Sequence, residues 1–182
     1  TLFPYTTLFR SVLNFMKTYI NISILIILIF FSCGSKQKPS PPVTVQDKVG
    51  NTSILINYNS PRVRERSIWG DLVPYDKVWR TGANEATRIK ISSDILIYDS
   101  PLEKGEYSFF TIPGKDNWTV IFNSVSKQWG SYDYDSNKDV LRLKVVPTQS
   151  DKFFENMTFS IEDNNIIFNW ENLSFILKVK EL

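Results

Sequence analysis

Short runs of alternating hydrophobic and polar residues cover most of the chain, and this is the pattern of half-buried β-strands. Thr87–Ile91 reads TRIKI and places Ile89 and Ile91 on one face. No window carries an apolar stripe of helical period over three turns. Strands are predicted over residues 52–58, 87–91, 95–98, 107–112, 118–123, 140–146, 157–161, 166–170 and 173–179. We therefore expect an all-β fold, an antiparallel β-sandwich with jelly-roll-like topology.

Residues 60–86 interrupt this rhythm. The segment reads SPRVRERSIWGDLVPYDKVWRTGANEA and shows no clear strand alternation. A long irregular stretch in a compact domain commonly carries function or is packed by its own side chains. Candidate ligand-binding residues are therefore sought in this segment first.

The N-terminal part of the chain has the layout of an export signal. Lys17 precedes an apolar run over residues 20–31, and Ser32 and Cys33 follow it. This run is shorter than the roughly 20 residues of a membrane-spanning helix and fits the core of a signal peptide. Cys33 is the only cysteine, and the site resembles a bacterial lipoprotein signal, apart from Phe30 where Leu is usual. We expect a lipid on Cys33, and an ordinary signal peptide is the alternative.

Four parts of the chain follow from this layout. Residues 1–15 are predicted to be a non-native extension, because Met16-Lys17 is a natural start. Residues 16–33 are the predicted lipoprotein signal peptide, 34–44 a flexible proline-rich tether, and 45–182 the β-sandwich domain. The predicted location is the cell envelope, with the lipid anchor in the outer membrane and the domain facing the periplasm.

Composition excludes several chemistries. The chain has no histidine, so Ser-His-Asp triads and histidine metal sites are absent. An acylated Cys33 would leave no thiol for catalysis or zinc, and we expect neither a metal nor a cofactor. Of the 21 basic residues, Arg10 and Lys17 precede Cys33, which leaves 19 to balance 19 acidic residues. This neutral remainder gives no electrostatic reason to expect nucleic acid as a partner.

The irregular segment combines aromatic and polar residues in the way that ligand pockets do. Aromatic faces stack on sugars or other flat ligands, and a few polar groups fix the orientation. The alternative is that the tryptophans fill the core and that Arg80 and Glu85 form a buried, hydrogen-bonded pair. The predicted pocket consists of Arg80, Asn84 and Glu85, walled by Trp69, Tyr75 and Trp79.

A second candidate feature is the row of arginines at the start of this segment. Arg62, Arg64 and Arg66 alternate with a period of two, so they would share one face of an extended chain. Arginines on one face can bind a carboxylate or phosphate through paired hydrogen bonds. The alternative is a solvated strand face.

Several long blocks of the chain resemble a known family. They are SPRVRERSIWGDLVPYDKVWRTGANEAT, LEKGEYSFFTIPG, WTVIFN and QWGSYDYDSNKDVLRLKV. In this order they are similar to domain-of-unknown-function family 2911, over roughly residues 45–180. The resemblance implies an all-β domain and a lipoprotein of the Bacteroidota envelope. It implies no activity and no catalytic residue.

We predict that the protein is a non-catalytic binding or accessory module for a glycan or small ligand. One alternative is a glycan hydrolase that uses Glu85 and a second carboxylate about 5–10 Å away. Another is a structural or assembly protein of the envelope.

Overall fold

Ten β-strands form two antiparallel sheets in residues 39–182, which are the residues that the structure, a computed structural model, describes. The first sheet has the strand order β1-β2-β3-β6-β7-β8 and the second β5-β4-β10-β9. The predicted all-β sandwich is confirmed. The strands are β1 Pro42–Val49, β2 Thr52–Asn59, β3 Thr87–Ile91, β4 Ile95–Ile97, β5 Ser100–Leu102, β6 Gly105–Ile112, β7 Trp118–Asn123, β8 Asp139–Val145, β9 Thr148–Glu162 and β10 Asn165–Glu181.

The connectivity corrects the predicted jelly-roll-like topology. Strands β1–β3 lie in the first sheet, β4 and β5 in the second, β6–β8 in the first again, and β9 and β10 in the second. A jelly roll instead places successive strands in opposite sheets. Short turns account for part of the difference, because they favour direct pairing of β1 with β2, β4 with β5, β6 with β7 and β9 with β10. The turn between β9 and β10, for example, has Asp163 and Asn164 at φ values of 49° and 61°.

The last two strands are longer than their sequence pattern predicts. The predicted strands 166–170 and 173–179 are parts of one strand, β10, which is 17 residues long. The Glu171-Asn172 pair predicts a turn, but the chain forms a bulge there, with Glu171 at φ 56° and a shift in register against β9. Strand β1, which was not predicted, begins at Pro42 and so overlaps the end of the predicted tether.

The main core lies between the two sheets and is rich in aromatic rings. In β2, Ile54, Ile56 and Tyr58 alternate inward and are at most 5% exposed. Apolar burial of this kind is the main driving force of folding. The largest fully buried side chains of this core are Trp118, Trp170, Phe109, Phe122, Phe168 and Phe175.

After β2 the chain crosses from the first sheet to the edge of the second. The backbone N–H of Val63 donates to the carbonyl of Glu155 at 2.8 Å, and that of Met157 donates to the carbonyl of Pro61 at 2.9 Å. These bonds cover the outer edge of β9, an edge that would otherwise present unpaired backbone groups.

Residues 60–86 lie between β2 and β3 without a strand, which confirms the predicted irregular segment. Some of its side chains are nevertheless packed into the core, while others, such as residues 64–67, are exposed. Ile68 and Val73 are buried in the main core, and Trp79 pairs with Thr111 of β6 through backbone bonds of 2.8 and 2.9 Å. Its last residues reach the opposite face of the first sheet, where Ala86 joins Phe110 and Ile121 in a second, smaller cluster.

The predicted extension 1–15, the predicted signal peptide with Cys33, and residues 34–38 of the predicted tether lie outside the described residues. Within residues 39–182, no helix has the length and the apolar character that crossing a bilayer requires.

Candidate functional site

Trp69 and Trp79 belong to a cluster of four tryptophans at one end of the core. The ring centroids of Trp69 and Trp118 are 4.7 Å apart, and those of Trp69 and Trp79 are 6.0 Å apart, both in edge-on contact. Trp79 also stacks on Trp170 of β10. The tryptophan rings of the irregular segment thus pack against one another and against the core, which is the arrangement given above as the alternative to a ligand pocket.

Beside this cluster is a cavity of about 190 Å³, hereafter the Arg80 cavity. Its lining combines indole rings and guanidinium groups, and no aspartate or glutamate is among the lining residues. The principal lining residues are Pro61, Arg66, Leu72, Trp79, Arg80 and Trp170. The sequence predicted Trp79 and Arg80 in one pocket, and the structure brings these two residues together there.

Two buried hydrogen-bond donors at this cavity have no partner. Arg80 Nε and Trp170 Nε1 are inaccessible to solvent, and neither donates to any acceptor in the described chain. The indole N–H of Trp79, by contrast, donates to the carbonyl of Gly82 at 3.2 Å. Buried polar groups are normally paired, and residues 39–182 leave three further buried polar atoms unpaired, namely Arg62 Nε, Trp69 Nε1 and Gln128 Oε1. Of these five residues only Arg80 and Trp170 line the Arg80 cavity, where an acceptor from outside the chain is one explanation of the unpaired donors.

Arg66 is the second cation of the cavity, and its position is fixed by the backbone. Its Nε donates to the carbonyl of Val63 at 3.1 Å, and an Nη donates to the carbonyl of Arg62. In the sequence Arg66 belongs to a row of arginines, and no pattern there connects it with Arg80. The two residues meet only because the segment folds back on itself.

The predicted arginine row is wrong as a shared extended face. Arg64 and Glu65 have φ values of 49° and 58°, so the chain turns here and is not extended. Arg62 lies 3.7 Å from a carboxylate oxygen of Glu155, in a partly exposed salt bridge. The side chain of Arg64 is exposed. Neither Arg62 nor Arg64 lines the Arg80 cavity.

The remaining predicted residues lie apart from this cavity. Tyr75 is half-buried and its ring lies against Gly70, where an added Cβ would come within 2.8 Å of the ring. Asn84 is exposed and donates to Asn59 Oδ1 at 3.3 Å. Arg80 and Glu85 form no salt bridge within residues 39–182, which corrects the alternative of a buried ion pair.

Glu85 instead lines a surface groove that the sequence analysis missed, hereafter the Trp129 groove. This groove has a volume of about 350 Å³ and is lined by Glu85, Arg88, Lys127, Gln128 and Trp129. A second hollow of about 140 Å³ adjoins it and shares Glu85 and Arg88. The available signal was a tryptophan in the polar stretch SVSKQWGSYDYDS, where no apolar alternation accounts for it.

A third polar cluster connects β8 to the loop before it. Asp139 Oδ2 accepts hydrogen bonds from the Tyr134 hydroxyl and from Arg142 at 2.5 and 2.6 Å. Burial, followed by the bond to Asp139, raises the pKa of Tyr134 to about 12. Every member of this cluster has a partner, so it fastens the loop. No group of residues suited to binding a metal ion occurs in the part of the chain that the structure describes.

Comparison with known proteins adds one match. The family model "Protein of unknown function (DUF2911)" covers residues 40–179, which is most of the chain. No curated protein and no solved structure matches it. The resemblance seen in the sequence blocks is thereby confirmed, and the chain belongs to the DUF2911 family of proteins of unknown function.

Proposed function

We propose that this protein is a lipid-anchored, non-catalytic binding module of the cell envelope, and that the Arg80 cavity takes a small ligand with a carboxylate or phosphate group. The observation that carries the proposal is the pair of buried, unpartnered donors, Arg80 Nε and Trp170 Nε1, at a cavity with no acidic lining residue.

Hydrogen-bond energetics favour an anionic ligand. A buried donor without an acceptor costs about 1–3 kcal/mol, and a ligand oxygen in the cavity recovers that cost. Bonds from a guanidinium to a carboxylate or phosphate are charge-assisted and about twice as strong as neutral ones. Arg66 and Arg80 supply two such cations, and Pro61, Leu72 and Val73 add apolar surface for the rest of the ligand.

Binding is favoured over hydrolysis because of where the carboxylates lie. Glycan hydrolysis by two carboxyl groups needs one of them on each side of the glycosidic bond that is cleaved. The Arg80 cavity has no acid in its lining, and Glu85 is the one acid among the residues that line the Trp129 groove. The hydrolase alternative stays a prediction, and unchanged turnover of glycan substrates by Glu85→Gln would count against it.

Lipid anchoring rests on the leader pattern. An almost unbroken apolar run over residues 20–31 ends at a small residue and the single cysteine, and a polar, proline-rich stretch follows. A lipid on Cys33 would hold the domain at the membrane surface on a short tether, and more than one acyl chain is needed for stable attachment.

The cavity is tested by thermal shift and calorimetry on the full chain in mild detergent. The probes are inorganic phosphate, glucose 6-phosphate and glucuronate, with glucose as the uncharged comparison. We expect the anionic probes to raise the melting temperature and glucose to leave it unchanged. Arg80→Met and Trp170→Phe should each weaken binding by about tenfold or more, while Arg88→Met, a matched change outside the cavity, should not.

Two outcomes would contradict the cavity proposal. One is that Arg80→Met binds every probe as the unsubstituted chain does. The other is a large fall in the melting temperature of ligand-free Arg80→Met, because the guanidinium would then be a structural group of the core.

The anchor has its own experiment. Metabolic labelling of the expressing cells with a fatty acid should label the protein, and Cys33→Ser should abolish the label. A labelled Cys33→Ser variant would show that the lipid, if present, is attached elsewhere. Fractionation of the envelope then distinguishes the outer from the inner membrane.

A further inference from the structure

Trp129 presents a large indole ring at the surface from a fixed backbone position. The residue is 62% exposed. It pairs with Glu85 in an antiparallel bridge, and the N–H of the next residue, Gly130, donates to the carbonyl of Asn84 at 3.1 Å. An exposed indole forgoes the free energy of burial that most aromatic side chains contribute. Its face is therefore available to a ligand.

The buried side chain of Gln128, the residue before Trp129, holds the backbone in place at this position. Gln128 is only 9% exposed, and its Nε2 lies 3.0 Å from Ser108 Oγ and 3.1 Å from Asn123 Oδ1. The backbone N–H of Ala86 donates to the Gln128 carbonyl at 3.0 Å. Because the backbone on both sides is bonded, little conformational entropy is lost when a ligand stacks on the ring.

The charges around the indole are mixed. Glu85 supplies a carboxylate, and Arg88 and Lys127 supply cations. Arg88 is held by Glu106, with 3.1 Å between guanidinium nitrogen and carboxylate oxygen. A ligand of either net charge meets a like charge in this groove. A neutral ligand whose hydroxyl groups both donate and accept hydrogen bonds fits all three side chains.

The hollow beside the groove extends the polar surface. Thr44 and Asn57 line it, and the Thr44 hydroxyl donates to Asn57 Oδ1 at 2.8 Å. Glu85 and Arg88 lie between the two hollows and belong to both linings. The continuous polar surface has room for more than one unit of a linear ligand.

We propose that the Trp129 groove binds a neutral oligosaccharide, with one pyranose ring stacked on the indole of Trp129. The C–H face of the ring contacts the indole, Glu85 accepts hydrogen bonds from sugar hydroxyls, and Arg88 donates to them. No residue lines both this groove and the Arg80 cavity. The groove is thus a second site, beyond the proposed function.

Titration calorimetry on the full chain in mild detergent tests the proposal. The probes are the neutral hexasaccharides cellohexaose, mannohexaose and chitohexaose (N-acetylated), with hexagalacturonate as the acidic comparison. We expect at least one neutral probe to bind and hexagalacturonate to bind more weakly. Trp129→Ala should weaken the binding by about tenfold or more. Tyr132→Ala removes another exposed ring, outside the groove lining, and should leave affinity unchanged.

Further variants separate this site from the Arg80 cavity and from loss of fold. Arg88→Met should weaken glycan binding, whereas Arg80→Met should leave it unchanged. The melting temperature of Trp129→Ala should stay near that of the unsubstituted chain, because the ring is exposed. The proposal is overturned if no neutral hexasaccharide binds, if Trp129→Ala binds as tightly as the unsubstituted chain, or if hexagalacturonate binds more tightly than the neutral probes.

Discussion

Trp79 stacks on Trp170, with ring centroids 5.6 Å apart and 18° between the ring planes. The contact joins the irregular segment to β10, two parts of the chain that are far apart in sequence. The same two rings form part of the wall of the Arg80 cavity. This contact therefore contributes both to the stability of the core and to the shape of the cavity wall.

Replacing Trp79 with Ala should lower the free energy of unfolding by about 3–5 kcal/mol, the usual range for removing a buried aromatic ring. Trp79 is 9% exposed and contacts Trp69, Trp170 and Phe168. Trp129→Ala is the matched control and should change the free energy of unfolding by less than about 0.5 kcal/mol. Urea denaturation of both variants measures the difference. Similar losses in the two variants would contradict the burial assigned to Trp79.

Tyr58→Phe should destabilise the protein by about 1–3 kcal/mol, because it leaves a buried backbone donor without an acceptor. The Tyr58 hydroxyl accepts a hydrogen bond from the backbone N–H of Phe159 at 3.2 Å and so links β2 in the first sheet to β9 in the second. Burial raises the pKa of this hydroxyl. Tyr132→Phe, at a position that is 83% exposed, is the control. Equal stability of the two variants in urea denaturation would show that this link contributes nothing.

Strands with one clearly buried face could be predicted from the sequence, and those without one could not. In β2 and β3 every second side chain is buried, and the alternation in the sequence reports this directly. Most side chains of β1 are exposed or half-buried, and β5 has only three residues with Pro101 in the middle. In β1 only Val43 and Val45 alternate before a polar run over residues 46–48, and β5 is too short for a repeat, so neither strand leaves a period-two signal of useful length.

The candidate site was predictable only in part, since residues distant in sequence form it. Trp79 and Arg80 are adjacent and could be proposed together. Trp170 lies on the opposite sheet, and its unpaired N–H becomes visible only once the two sheets are packed. The exposure of Trp129 likewise depends on its tertiary surroundings, because most tryptophans are largely buried.

Stability should fall in alkaline solution as Tyr134 ionises. Burial and the bond to Asp139 raise the pKa of Tyr134 to about 12 from the ordinary value of 10.0. A raised folded-state pKa favours the protonated hydroxyl, so its contribution is fully present below about pH 10 and is lost as the pH rises towards 12. Tyr134→Phe should remove this part of the pH dependence. Urea denaturation across this range measures it, and parallel losses in both proteins would contradict the assignment.

Gln128→Leu should loosen the segment between β7 and β8 that carries Trp129 and cost about 1–3 kcal/mol. Leucine keeps much of the side-chain volume but removes the amide nitrogen Nε2. This nitrogen lies within hydrogen-bond distance of Ser108 Oγ, Asn123 Oδ1 and the carbonyl of Val125. Hydrogen exchange reports local opening, so the N–H of Gly130 should exchange faster in the variant. Lys127→Leu, at an exposed neighbour, should leave that exchange unchanged. Unaltered exchange in Gln128→Leu would mean that the backbone bonds to the irregular segment hold Trp129 without help from the buried amide.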